Sequence, residues 1–448
     1  MSNILLPEIA SLLEKGELDV LKEFCEESHP AEVAHALYGL EPEQLSKILS
    51  LVSSELAAEI FGRLEEEQQV EFADTSPPAE VANLIEEMDP DDGVELLREL
   101  DAEEAAKILS YVPQEERKDL KLISSYPEET AGAIMTTEFA SLREDQTVSE
   151  AMSTLRREAP DKETIYVIYV VDAKGQLTGI ISLKDLVFAD PVMTVAEVMD
   201  RDVVSMKADA DQADVAHKIK DYDFLAMPIV DDERKLLGIV TFDDVMDVMD
   251  DEATEDMHYL ASVSAEERAF MSPLRSVRLR IPWLVVNMGT ALVAAMTIRM
   301  FQSTIQQVVA LAVFMHVVAN MGGNAGNQSL TVIVRGLALG EVKLKGFMRA
   351  LLKEMSVGLM NGAVCGVIMG TVTGLLYGNF WFGFVMFAAM LITLVIGTAF
   401  GAVVPLALRT FRLDPALGSS IFVTTAADVG GFFAFLGLAT LLMKYITG

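Results

Sequence analysis

Cysteine is almost absent from this chain of 448 residues, and the two that occur, Cys25 and Cys365, lie far apart. A fold held together by disulfides is therefore not expected. Basic side chains are also scarce, with 34 Lys and Arg against 68 Asp and Glu, which gives a formal net charge of −34. Because an acidic surface repels phosphate, nucleic acid is not an expected partner.

Histidine is also scarce, and the positions of the five histidines argue against a membrane metalloprotease. None of the five histidines forms the His-Glu-x-x-His pair that such enzymes place on a helix. Intramembrane aspartyl proteolysis would need two aspartates within apolar segments, and this chain has one. We therefore do not expect an enzyme.

A hydrophobic content of 51 % conflicts with so high a charge unless the two properties are separated along the chain. Residues 275–448 hold 12 basic and 4 acidic side chains, whereas residues 1–274 hold 22 basic and 64 acidic ones, a net charge of −42. The sequence thus predicts an acidic soluble half followed by a membrane half. No basic stretch precedes the first apolar residues, so no cleaved signal is expected.

The soluble half begins with a helical repeat. PAEVAHAL at 30–37 returns as PAEVANLI at 78–85, and a proline or serine recurs every 12 positions. Proline suits the first turn of a helix, so each block is predicted to be one short helix. A fixed period of short helices is typical of an α-solenoid.

A second repeat follows, in which residues 168–186 align with residues 227–245. Each copy reads as a strand, an acidic turn, a second strand and a helix, and roughly residues 130–250 resemble a tandem pair of cystathionine-β-synthase (CBS) domains. Such domains often hold an adenosine ribose at a Gly-x-x-Ser/Thr-x-x-Asp turn, so ATP is a possible ligand here. Helix capping by the same side chains is the alternative. The candidate nucleotide residues are Ser182, Asp185, Thr241 and Asp244.

Five apolar runs are each long enough to cross a bilayer, which needs about 20 residues. They cover residues 282–301, 306–333, 355–377, 381–408 and 416–443. Basic residues lie before the first run, between the second and third, and between the fourth and fifth. By the positive-inside rule the acidic half is cytoplasmic and the C-terminus lies outside. These basic residues are Arg275, Arg278, Arg280, Arg335, Lys343, Lys345, Arg349, Lys353, Arg409 and Arg412.

One acid, Asp428, lies deep within the fifth run, where a carboxylate is costly unless it has a partner or water. The second run carries a polar stripe at helical spacing, interrupted by glycines that expose backbone carbonyls. Carboxylate, amide, hydroxyl and carbonyl oxygens are the ligands that Mg²⁺ or Ca²⁺ prefers. Helix packing is the alternative explanation of the stripe. The stripe consists of His316, Asn320, Asn324, Asn327 and Thr331.

A dense acidic tract, DDVMDVMDDEATED, follows the second CBS copy at residues 243–256. Two carboxylates about 4 Å apart repel by roughly 4 kcal/mol at an effective dielectric constant near 20. Divalent cation sites would relieve this repulsion, whereas a solvated helix face is the alternative.

Taken together, GGNAGNQ in the second run, DPALGSS and ADVGG in the fifth, the CBS pair and the acidic helical repeat resemble the MgtE family of bacterial magnesium channels. The resemblance covers essentially the whole chain. It implies a homodimer in the lipid bilayer of the bacterial plasma (inner) membrane, whose second and fifth spans line a pore for hydrated Mg²⁺. The implied pore residues are Asp428, Thr424, Asn324, Asn327, Gly323 and Thr331.

The same resemblance implies a cytoplasmic Mg²⁺ sensor that closes the pore, with a connecting (plug) helix after Asp251 as the obstruction. An ion-coupled secondary transporter of Mg²⁺ or Co²⁺ is the alternative function. The expected domains are a solenoid (1–128), two CBS domains (129–191 and 192–250), the connecting helix (251–274) and a five-span transmembrane domain (275–448). The implied sensor residues are Glu59, Asp91, Glu95, Asp223, Asp244, Asp247, Glu252, Glu255 and Asp256.

Overall fold

The computed structural model describes residues 6–158, 162, 164–269, 271–342, 346–411 and 413–447. Three of the basic residues used to orient the chain, Lys343, Lys345 and Arg412, lie outside the described residues. The chain divides into two compact units, Met1–Met249 and Asp250–Gly448.

The first unit opens with short helices that begin where the repeat predicts. Pro30, Pro42, Pro78 and Pro90 are each the first residue of a helix. From α3 to α8, each helix packs on the helix two places further along the chain. Helices α3, α5, α7 and α9 therefore form one row and α4, α6, α8 and α10 form another, as in a solenoid. The helices are α1 (Leu6–Lys15), α2 (Leu18–Glu27), α3 (Pro30–Leu37), α4 (Pro42–Leu49), α5 (Ser54–Gly62), α6 (Glu66–Thr75), α7 (Pro78–Glu87), α8 (Pro90–Glu99), α9 (Ala102–Tyr111) and α10 (Glu116–Ile123).

The two CBS copies fold alike. Each contains a three-stranded sheet in sequence order, with a parallel first pair and an antiparallel second pair. Gly179 and Gly238 occupy the same place in the two sheets, and a Cβ at Gly238 would lie 3.0 Å from the Met135 side chain. The elements are β1 (Phe139–Arg143), α11 (Val148–Glu158), β2 (Thr164–Val171), β3 (Leu177–Ser182), α12 (Leu183–Phe188), α13 (Val195–Val198), β4 (Met206–Lys207), α14 (Gln212–Tyr222), β5 (Ala226–Val230) and β6 (Leu236–Thr241).

The core of the solenoid continues into the second CBS domain. Ile123 of the solenoid, Ala131 of the connection, and Met227 and Val245 of the second CBS domain are buried in one apolar cluster. This shared core holds the acidic surface of the solenoid next to the start of α15 (Phe242–Leu260), the helix that contains the acidic tract.

The second unit contains a helix at each of the five predicted apolar runs. Four of these helices, α16, α19, α20 and α21, are both long and apolar enough to cross a membrane. The remaining helix, α18, covers the second apolar run. It has 29 residues and a length of about 44 Å, but it contains an Asn- and Gly-rich tract and is not among the four helices that are apolar enough. The helices are α16 (Pro273–Met300), α17 (Gln302–Gln307), α18 (Ala310–Ala338), α19 (Phe347–Tyr377), α20 (Phe380–Thr410), α21 (Ser419–Leu441) and α22 (Met443–Thr447).

Helix α20 lies at the centre of this bundle and packs on α18, α19 and α21. Close approach depends on glycine at a few points. A Cβ at Gly362 of α19 would lie 2.9 Å from the Cα of Leu391, and one at Gly326 of α18 would lie 3.0 Å from the carbonyl oxygen of Gly397. With α20 behind them, α18 and α21 lie side by side and carry the two predicted groups of polar residues.

Candidate functional site

Helices α18 and α21 run in opposite directions and enclose a cleft of about 250 Å³. Gly322 lies against Ala427, and one turn later Gly326 lies against Val423. Continuing this alignment places Asn320 at the level of Asp428. The lining residues recur every three or four positions on each helix. They are His316, Ala319, Asn320, Gly323, Asn324 and Asn327 of α18, and Thr424, Asp428 and Phe432 of α21.

Asp428 is half-buried in this cleft. His316 is the other titratable residue among the described residues that line the cleft. No Lys or Arg side chain is among the described residues that line the cleft. Asp428 is therefore the one acidic side chain among the described residues that line the cleft, and mainly uncharged residue types surround it.

The amides of α18 supply oxygen acceptors to the same space. Asn324 Nδ2 donates to Asn320 Oδ1 at 2.8 Å. Asn327 Oδ1 is buried and accepts no hydrogen bond from the part of the chain that the structure describes. An acceptor that is buried without a donor is costly, and a cation or its hydration water would satisfy it.

The structure brings five of the six predicted pore residues into this one cleft: Asp428, Thr424, Asn324, Asn327 and Gly323. Thr331 does not line it. Its Oγ1 instead donates to the carbonyl oxygen of Asn327 at 3.0 Å, one turn back along α18. Phe432, which also lines the cleft, has no polar group, and the sequence offered no reason to single it out.

A second cleft of about 450 Å³ lies in the first unit, where α5, α7 and α8 meet the start of α15. Four of the predicted sensor residues line it: Glu59, Asp91, Asp244 and Asp247. No three metal-ligating side chains among the described residues converge as a preformed cage. The other ionisable residues around the cleft are His29, Arg63, Glu87, Asp89, Asp92 and Asp243.

Three carboxyl groups of this cleft, those of Asp89, Asp92 and Asp244, have a raised pKa. Burial is the largest cause that raises the pKa of Asp92, and together with the charges of Asp89, Asp244 and Glu95 it brings this pKa to about 7. Burial also raises the pKa of Asp244, against hydrogen bonds from Thr241 that favour its charged form. Arg63 is the cation that opposes the rise at Asp92 and Asp89. The ionised cleft therefore stores repulsion that a divalent cation would relieve.

The remaining sensor residues of the first unit do not line this cleft. Glu95 lies one turn after Asp91 on α8 and acts on Asp92 through its charge. Asp223 ends α14 in a left-handed backbone conformation, with φ 54°.

In the second unit, Glu252, Glu255 and Asp256 lie on the later turns of α15. Burial, together with the charges of Asp414 and Glu255 and against the charge of Arg335, raises the pKa of Asp256 to about 6. Asp414, just before α21, was missed as a sensor candidate by the sequence reasoning. Asp414 is the first residue of the DPALGSS tract, and this position in the sequence could have identified it as a candidate.

The candidate nucleotide residues bond to each other in pairs at the starts of α12 and α15, and Ser182 caps α12. Ser182 Oγ donates to Asp185 Oδ2 at 2.5 Å and accepts from the Asp185 backbone N–H at 3.0 Å. Thr241 Oγ1 donates to Asp244 Oδ2 in the same way, at 2.5 Å. The capping role weighed for these residues therefore accounts for their contacts, and nucleotide binding stays a prediction.

Profiles of known families cover most of the chain. The MgtE intracellular N domain matches residues 28–129, the CBS domain matches residues 131–191 and 195–251, and the MgtE divalent cation transporter domain matches residues 315–438.

Two solved structures are similar to the first unit. One is the soluble part of a magnesium transporter, with a TM-score of 0.52 and 38 % identity over 55 % of this chain and 98 % of that chain. The other is the cytosolic domain of the Mg²⁺ channel MgtE in complex with ATP, with a TM-score of 0.52 and 40 % identity over 55 % of this chain and 100 % of that chain.

Curated relatives extend the similarity to full length. The magnesium transporter MgtE of Thermus thermophilus is 37 % identical over 100 % of both chains. That of Bacillus subtilis is 33 % identical over 97 % of both chains, and that of Enterococcus faecalis is 39 % identical over 74 % of this chain and 73 % of its own. The chain therefore belongs to the MgtE family of magnesium transporters.

Proposed function

We propose that this protein is a Mg²⁺-selective channel of the bacterial plasma membrane that cytoplasmic Mg²⁺ closes. The observation that carries the proposal is the cleft between α18 and α21, where a single carboxylate, Asp428, is surrounded by oxygen acceptors and no fixed Lys or Arg among the described residues. The full-length relatives are magnesium transporters, which supports Mg²⁺ as the transported ion.

The chemistry of this cleft suits a hydrated ion. Mg²⁺ gives up its water reluctantly, and it is usually held through one or two carboxylates with several waters retained. Those waters donate hydrogen bonds outward, so the wall must offer acceptors. Asp428, the Asn327 carbonyl oxygen and the Thr424 hydroxyl do so. In a homodimer the clefts of two protomers would face each other and place two Asp428 carboxylates around the ion.

This role also accounts for the composition of α18. A helix that turns one face to a water-filled pore does not need to be apolar all round. We therefore assign α18 as the fifth span, between α16 and α19, within the transmembrane domain at 275–448. With the basic loops in the cytoplasm, residues 1–250 are cytoplasmic and the C-terminus lies outside the inner membrane.

We assign the acidic cleft of the first unit to the Mg²⁺ sensor. Its carboxylates repel one another when it is empty, and a bridging divalent ion would replace that repulsion by attraction. The compact form of the solenoid and CBS pair would then be favoured at high Mg²⁺. A ligand shifts such an equilibrium only through its preference for one form, and several weak sites together give a steep response.

The connecting helix links this sensor to the pore. Tyr259 and Leu260, at the end of α15, pack on a cluster that contains Leu330 of α18 and Val423 of α21. Ser262 and Ser420 share a hydrogen bond at 3.0 Å. These contacts hold residues 259–262 beside the two helices that line the cleft, which supports the role of the connecting helix as a plug. Mg²⁺ between Asp256 and Asp414 would strengthen the same attachment.

ATP is a further proposed ligand, of the CBS pair. Its support is the similar cytosolic domain solved in complex with ATP. The candidate contacts are the capping residues of α12 and α15, which would exchange a hydrogen bond within the turn for one to the ribose.

Single-channel recording from purified protein in a planar bilayer tests the proposed function. We expect discrete Mg²⁺ currents that disappear as Mg²⁺ on the cytoplasmic side is raised into the millimolar range. Transport without unitary currents, dependent on a Na⁺ or H⁺ gradient, would instead establish the ion-coupled carrier. Currents that ignore cytoplasmic Mg²⁺ would contradict the gating part of the proposal alone.

A further inference from the structure

We infer that Asn320 is a positioning residue for cation recognition. Its side chain holds the amide of Asn324 so that the carbonyl oxygen of Asn324 is available to the cleft that contains Asp428. This inference rests on the proposed function of that cleft. Asn320 lies one helical turn before Asn324 on α18, and both side chains line the cleft wall.

The two ends of an asparagine amide interact with a cation in opposite ways, since one attracts it and the other repels it. The carbonyl oxygen accepts hydrogen bonds and can face Mg²⁺ or the outward-pointing protons of its hydration water. The NH₂ group is a donor and presents partial positive charge to the same ion. Both ends have nearly the same shape, so the amide needs a specific contact that decides which end faces the cleft.

In this structure the contact is the hydrogen bond from Asn324 Nδ2 to Asn320 Oδ1, at 2.8 Å. It occupies the donor end of Asn324 along the helix wall. Oδ1 of Asn324 accepts no hydrogen bond from the described part of the chain, so it stays available to a cation or water. Turning the amide over would break the bond and place two facing oxygens together, which is unfavourable.

Asn327 provides an internal comparison. Its Oδ1 is buried, and no amide among the described residues donates a hydrogen bond to it. Asn324 is exposed, so packing alone does not hold its side chain. The need for an orienting partner is therefore specific to Asn324, and Asn320 at the level of Asp428 is the residue that meets it.

The test is a double-mutant cycle on the full-length protein in proteoliposomes, with Mg²⁺ entry followed by an internal indicator. Asn320→Leu removes the acceptor at similar size and should raise the half-saturating Mg²⁺ concentration by about three- to tenfold, as expected for one lost hydrogen bond. Asn324→Leu should have an effect at least as large. If Asn320 acts through Asn324, the double variant should resemble Asn324→Leu alone.

Asn320→Asp is the conservative variant, since it keeps an oxygen at the position that accepts from Asn324. It should not raise the half-saturating concentration, whereas a residue needed only for packing would tolerate Leu as well as Asp. Asn320→Ala replaces the Leu variant if that protein is not recovered folded. Additive effects of the two leucine substitutions, or an unchanged half-saturation in Asn320→Leu, would overturn the inference.

The result also separates this inference from the function on which it depends. If Asp428→Ala and Asn324→Leu both leave Mg²⁺ entry unchanged, the proposed pore site itself is wrong. If those two variants reduce entry while Asn320→Leu does not, only the role of Asn320 fails.

Discussion

Replacing Asp92 by Asn should stabilise the first unit in the absence of Mg²⁺. Asp92 lies in the acidic cleft, where crowding and the neighbouring carboxylates raise its pKa from 3.8 to about 7. At pH 8 the folded protein must keep this side chain charged in unfavourable surroundings, whereas the unfolded chain ionises it freely. Asparagine has nearly the same shape and removes the charge.

The size of the effect follows from the pKa. One pKa unit corresponds to about 1.4 kcal/mol, so a rise from 3.8 to about 7 would cost on the order of 4 kcal/mol at pH 8. Asp92 is still exposed to solvent across the cleft, and screening by water reduces this cost. We therefore expect a gain of about 1 to 2 kcal/mol, which corresponds to a rise in unfolding temperature of about 2 to 8 °C.

The pH dependence has a definite sign. Between about pH 4 and pH 7 the folded form retains a proton on Asp92 that the unfolded form has lost, so stability falls as pH rises through this window and is then level. In Asp92→Asn this fall should be smaller. The stabilising effect of Mg²⁺ should shrink as well, because one of the carboxylates that it neutralises is gone.

The assay is limited trypsin digestion of the full-length protein in EDTA, which gives the temperature at which half of the first unit becomes cleavable. Asp74→Asn, an exposed acid of α6 outside the cleft, is a matched control for the change in net charge. If Asp92→Asn lowers this temperature at pH 8, the charge of Asp92 does not destabilise the first unit. If Asp74→Asn raises it equally, the effect comes from net charge and not from repulsion within the acidic cleft.

Three further variants test the other proposals. Asp428→Ala should leave a folded dimer that loses Mg²⁺ flux by more than about tenfold, since the ion then meets no compensating charge; growth of a magnesium-auxotrophic host at the wild-type rate would refute this. Neutralising Asp244, Asp247 and Glu255 together should leave a channel that conducts but no longer closes in millimolar Mg²⁺. Closure at the wild-type Mg²⁺ concentration would show that the acidic tract is only a solvated helix face. Asp185→Ala should weaken ATP binding in calorimetry, and equal affinity in the variant would restrict this side chain to capping α12.

Local sequence was sufficient wherever short-range physics decides the outcome. Pro30 and Pro78 begin helices because proline fits the first helical turn, and this holds regardless of what packs nearby. The repeated strand, turn, strand and helix of the CBS copies depends on apolar runs and glycines within one copy. Asp428 was conspicuous because a lone carboxylate in an apolar run is costly in any fold.

The contents of the two clefts, in contrast, depended on tertiary structure. Asp92 and Asp243 come from different domains and meet only because the solenoid and the second CBS domain share a core. Asp414 acts on Asp256 across a comparable distance in sequence.

Side-chain direction was the other matter that periodicity could not decide. Helical spacing places Thr331 and Asn324 on one stripe, yet the hydroxyl of Thr331 bonds to its own helix, and the amide of Asn324 is held by Asn320. A sequence pattern specifies the face of a helix on which a residue lies. The hydrogen bond that its polar atoms make is chosen among competing local partners, and only the folded structure shows which partner is within reach.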